Sequence, residues 1–146
     1  MKTYVLLIIS AFVISLGSCT KDAGSDANVS QTSLSSMAVT QDGFVVVRTS
    51  HEDNGIWNIK MNDIAASAYA NGSKSFPANS MIVKEKRNSS GMITGYASMY
   101  RSTGDPNSSN GWVWNEYNKE GHIIYDASRK GNSCQSCHIQ NNVAIH

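Results

Sequence analysis

The chain has 146 residues, with 12 lysines and arginines against 11 aspartates and glutamates, and 40% of it is hydrophobic. That length suits one small domain. A near-neutral chain without basic runs carries no footprint for nucleic acid, and none for polybasic attachment to a membrane.

The first nineteen residues, "MKTYVLLIISAFVISLGSC", open with one lysine and continue in an apolar run from Tyr4 to Ile14. The run is too short to span a bilayer and has the charged start and apolar middle of a secretory signal. It ends in Leu16-Gly17-Ser18-Cys19, which resembles the lipobox of bacterial lipoproteins. The resemblance implies cleavage after residue 18 and a lipid on Cys19. The protein would then be exported and held on the periplasmic or cell-surface side of a bacterial membrane. The alternative is an ordinary signal peptide followed by a chance cysteine. Residues 19–41 are rich in Ser, Ala, Asp and Thr and read as a flexible tether. The folded unit is expected over 42–146.

Within that unit short β-like runs dominate. Residues 44–48 and 56–61 are rich in β-branched and aromatic side chains. Residues 62–72 predict a helix, with Asn62 or Asp63 as N-cap, alanine-rich filling and Gly72 to end it. Strands follow over 80–87 and 92–101, joined by the turn "NSSG", and over 112–117 and 122–126. Successive strands joined by short turns argue for an antiparallel sheet with one or a few short helices, an α+β fold. Alternation puts Ile82, Lys84 and Lys86 on one sheet face, with Met81, Val83 and Glu85 on the other. Trp112, Trp114 and Glu116 also share a face. Two indoles on one side of a strand cover something apolar: a core against the helix, or a flat porphyrin.

Near the C-terminus stands "GNSCQSCHIQ", residues 131–140. With Cys19 assigned to lipid, Cys134 and Cys137 remain as a pair in an oxidising compartment. A disulfide across three residues would constrain the unfolded chain little. C-x-x-C-H is the attachment sequence of c-type haem. Two thiols at this spacing bond the two vinyl groups of the porphyrin, and the adjacent histidine becomes the proximal ligand of the iron. Cys134 and Cys137 would make the thioethers and His138 would hold the metal. A thioredoxin-like redox pair would need a βαβ context, which this chain lacks. A zinc site would need further ligands, for which His51, His122 and His146 are available without a recognisable finger spacing. Candidates for the sixth iron position are those three histidines and Met61, Met81, Met92 and Met99. None has distinctive flanking sequence, and the expectation is a five-coordinate iron with an open distal side.

The run "WNIKMNDIAASAYANGSKSFPANSMIVKEKR", then "GWVWNEYNKEG", then "NSCQSCH" resembles the cytochrome P-460 family and its relative cytochrome c′-beta. The similarity extends over about residues 44–140. Its specific parts are the haem motif and "VKE", and Asn79 stands where glycine is usual. The resemblance implies a mainly antiparallel sheet, one covalent haem c, and a homodimer. It also implies one of two activities. In the P-460 branch a lysine bonds to the porphyrin and the protein oxidises hydroxylamine; Lys84 aligns with that lysine, otherwise a solvated strand residue. In the c′-beta branch the bond is absent and the haem binds nitric oxide behind an aromatic cap. Candidates for the cap are Phe44, Phe76, Tyr96 and Trp114. The hydroxylamine oxidisers also use an acid shortly before the haem motif, a position for which this chain offers Asp126 as a general base. As a bland alternative, Asp126 ends a strand and caps a turn. A simple electron-transfer cytochrome with an external redox partner is the third reading.

Overall fold

The computed structural model describes residues 29–52 and 55–138. The expected signal and anchor, residues 1–18 and Cys19, lie outside the described residues, as does His146. Six strands form one antiparallel sheet in chain order: β1 (Val45–Glu52), β2 (Gly55–Met61), β3 (Met81–Arg87), β4 (Ile93–Arg101), β5 (Trp112–Asn118) and β6 (Ile123–Tyr125). Every strand therefore pairs with its neighbour in sequence, as the short turns predict. The α+β expectation holds.

Helix α2 (Asp63–Ala70) fills the β2–β3 connection. Asn62 is its N-cap, accepting from the Ala65 backbone N–H at 3.1 Å, and Asn71 closes its other end. The same Asn62 carboxamide oxygen accepts from the Met81 N–H at 3.0 Å, so one side chain ties the helix start to β3. Asn79, the departure from glycine, has φ 65°, a left-handed conformation that asparagine tolerates better than most residues. Its side-chain oxygen accepts from the Tyr100 hydroxyl at 2.6 Å, which fixes the turn into β3.

The tether expected over 19–41 is corrected in its second half. Residues Gln31–Thr40 form a helix, α1, capped by Ser30, whose hydroxyl accepts from the Ser33 N–H. Leu34 and Ala38 are fully buried in a core with Met81, Val83, Tyr100 and Val113. The Ser35 hydroxyl also donates to the Gly121 carbonyl at 2.6 Å, pinning α1 to the β5–β6 turn. The folded unit thus starts before residue 42.

The sheet has two distinct faces. One carries Met81 and Val83 of β3, Tyr96 and Tyr100 of β4, and Val113 and Tyr117 of β5 against α1. The other carries Ile59 and Met61 of β2, Ile82 and Lys84 of β3, Met99 of β4, and Trp114 of β5. The division of β3 follows the alternation expected from sequence. Beyond β6, Asp126 caps a single 3-10 turn, Ala127–Arg129, and the chain then bends back to α3 (Gln135–His138) over the second face. Among the described residues no helix is long and apolar enough to cross a membrane.

Candidate functional site

The C-terminal segment reaches the sheet through Gly131. Its φ is +65°, and a Cβ there would lie 2.5 Å from the Trp114 indole. Only glycine permits both the turn and this approach. The Gly131 carbonyl then accepts from the N–H groups of Cys134 at 2.8 Å and Gln135 at 2.9 Å, starting the turn of helix that carries the motif. The His138 N–H donates to the Cys134 carbonyl at 3.3 Å, so both side chains leave the same side of that turn. Gln135 anchors the segment further, donating to the Lys130 carbonyl and accepting from Asn110.

His138 stacks obliquely on Trp114, with ring centroids 5.2 Å apart and planes at 59°. Between this segment and the sheet lies a cleft of about 140 Å³. Ile59, Ile82, Ala97, Met99 and Trp114 supply its apolar surface; Lys84, Glu116, Cys134 and His138 supply its chemistry. The sequence-derived site residues Lys84, Cys134 and His138 therefore share one cleft. The backbone of Cys137 belongs to α3, and its side chain lies outside the described residues.

Two charges stand at the cleft rim. The Lys84 Nζ sits 3.1 Å from the centroid of the Trp57 ring, on the neighbouring strand. A cation over an indole face gains about 1–2 kcal/mol where it is partly desolvated. Glu116 forms an ion pair with Lys86, both groups about one third exposed. Burial pushes the Cys134 thiol up, the Glu116 carboxylate adds to this, and Ser133, Lys86 and Arg129 offset it only in part. The group is therefore a thiol, not a thiolate, at neutral pH.

Asp126 does not line the cleft. Its carboxylate accepts from the Ser128 N–H at 2.8 Å as the cap of the 3-10 turn, and hydrogen bonding from the Ser128 side chain, then from its backbone, holds it below the usual carboxylate range. The acid that lines the cleft is Glu116. Sequence reasoning placed Glu116 on the face of Trp112 and Trp114 without giving it a role; its even spacing from Trp114 along β5 was the available signal.

The remaining candidates separate by face. Among the described sixth-ligand candidates, Met99 lines the cleft. Met61 packs with Ile59, Ala65 and Ile82, Met81 belongs to the core under α1, and Met92 is exposed. His51 and His122 are exposed and away from the cleft lining. Of the proposed cap aromatics, Trp114 lines the cleft. Phe76 packs edge-on against Trp112 at 5.8 Å, while Phe44 and Tyr96 belong to the opposite core.

This donor set fits haem. A thiol just before α3 and an imidazole at its end line the same apolar, indole-floored cleft, as covalent attachment of a porphyrin and ligation of its iron require, and the buried Trp114 Nε1–H has no hydrogen-bond partner within the described protein. The family model for cytochrome P460 matches residues 36–144, from within α1 through the haem motif. No curated protein matches the chain.

Proposed function

This chain belongs to the cytochrome P460 family, a family of haem cytochromes, and from that premise we propose that it carries one covalent haem c and oxidises hydroxylamine at an open iron. Cys134 and Cys137 would hold the porphyrin through thioethers, and His138 would bind its iron. The observation that carries the reading is that Lys84 lines the same cleft as Cys134 and His138. When bound, the haem supplies a one-electron redox centre and a Lewis-acidic iron for the substrate nitrogen. The chain supplies the rest. Each electron taken from hydroxylamine releases a proton, and the Glu116 carboxylate, oriented by Lys86, accepts it within the cleft. The apolar floor of Ile59, Ile82, Ala97 and Met99 lowers the polarity around a bound ligand. Electrons leave to an external acceptor. Export, the lipid anchor at Cys19 and association of two copies belong to the same proposal, supported by residues 1–19 and by the family.

A second reading is non-enzymatic nitric oxide binding with Lys84 unattached. It is favoured by the resting place of the Lys84 Nζ over the Trp57 ring, a contact that a bond to the porphyrin would have to give up. The test is the absorption spectrum of the matured protein reduced with dithionite, alongside hydroxylamine-dependent reduction of an added acceptor. A strongly red-shifted Soret band with turnover, lost in Lys84→Arg and at least tenfold slower in Glu116→Gln, is expected. An ordinary high-spin c-haem spectrum without turnover returns the protein to nitric oxide binding. Sharp low-spin bands would instead make Met99 a ligand and the protein an electron carrier.

A further inference from the structure

The cleft floor has a step in side-chain size at its centre. Cross-strand register lines up Ile59, Lys84, Ala97 and Glu116 on β2 to β5. Directly opposed residues of antiparallel strands have Cβ atoms about 5 Å apart, so Ala97 stands between the lysine and the glutamate at that distance from each. On one side of this row run Met61, Ile82, Met99 and Trp114; on the other run Trp57, Lys86 and Gly95. Both charged heads lean toward the second of these rows. The Lys84 ammonium lies on Trp57 and the Glu116 carboxylate is held by Lys86. A methyl is thus the side chain left at the centre of the row. Ser98 and Asn115, whose side chains belong to the other face by alternation, reach the cleft through their backbone beside it.

We propose that Ala97 is the specificity-determining residue of this cleft, setting the size of the iron ligand that it admits. Its methyl leaves a hollow, flanked by Lys84 and Glu116, for an iron ligand of two or three non-hydrogen atoms. Bulkier ligands meet the floor. This rests on the reading that haem is held by Cys134 and His138 in this cleft. The size limit itself is a property of the floor and applies to any iron ligand, whether or not it is turned over.

The test uses the matured full chain in its ferric form, titrated with cyanide and separately with imidazole, for the wild type, Ala97→Gly, Ala97→Val and Ala97→Leu. Haem per chain is measured for each. At unchanged haem content, A97L is expected to weaken cyanide binding at least tenfold and A97V less. A97G is expected to tighten imidazole binding several-fold while leaving cyanide nearly unchanged. Cyanide affinity within twofold of wild type in both A97V and A97L overturns the proposal. Should A97L lose its haem, the cyanide affinity of A97V decides. Loss of haem in both seats the porphyrin itself against Ala97 and likewise overturns the hollow. A wild-type chain that matures without haem fails at an earlier point, the cofactor reading, which the haem content reports separately.

Discussion

Glu85 is a buried charge with three side-chain hydrogen-bond donors. It is 2% exposed and accepts from Lys60 at 2.8 Å, Arg87 at 2.7 Å and Asn58 at 3.1 Å. Burial acts to raise its pKa, but the hydrogen bonds from Lys60, Arg87 and Asn58, with the Lys60 charge, outweigh it and hold the carboxyl below its ordinary value of 4.5. A carboxylate whose folded pKa is depressed contributes stability that is fully present above the unfolded value. That contribution is lost as pH falls through the folded one. Glu85→Gln breaks a buried ionic cluster and is expected to cost about 3 kcal/mol at pH 7, the lower end for such pairs because both cations keep some solvent. The gap between wild type and E85Q in urea unfolding should narrow at pH 3. A gap of equal size at pH 3 and pH 7 would remove the ionised form of Glu85 as its source. The "VKE" run thus splits its labour within one strand: Lys84 faces the cleft, and Glu85 faces the core side and stabilises the sheet.

At the scale of elements, α1 is where the sequence misled. The strands were legible because their β-branched and aromatic runs are bounded by turn residues, and α2 because Asn62 announces it. Residues 31–40, "QTSLSSMAVT", show no such signal: serines and threonines dilute the helical pattern, and the buried set reduces to Leu34 and Ala38. A helix of this composition is held by the tertiary groove that receives it, not by its own propensity. That groove is the face of β3, β4 and β5, which no local reading of α1 contains. Leu34 has no exposed surface, so Leu34→Ala is expected to cost about 2–5 kcal/mol. In a solvated tether the same change would stay within about 0.5 kcal/mol. Chemical denaturation of the two proteins separates the alternatives directly. Cys134 and His138, which share a cleft with Lys84, belong to a motif whose residues are adjacent in sequence and could be read there. Glu116, Ala97 and Trp57 come together only through strand register, and no motif marks them.

For the whole molecule, the consequence of a single sheet with two covered faces is that stability and chemistry are assigned to opposite sides of the same strands. Met81 and Met99 illustrate this. Both are buried thioethers on the adjacent strands β3 and β4, at 0% and 7% exposure, yet one packs under α1 and the other lines the cleft. Methionine to leucine conserves volume and typically costs under about 1.5 kcal/mol at a buried site. Met81→Leu and Met99→Leu are therefore expected to unfold within that margin of the wild type. Only M99L should alter the haem absorption or the affinity for an iron ligand. Val113→Ala on the α1 face supplies the converse, a loss of about 2 kcal/mol with the haem spectrum unmoved. A spectral change in M81L or V113A equal to that in M99L would mean that the sheet transmits core strain to the cleft and that its faces are not independent. The expected outcome instead makes the meander a partition. Alternation along each strand sends one residue to the core and the next to the cleft, so either face can be changed while the other is kept.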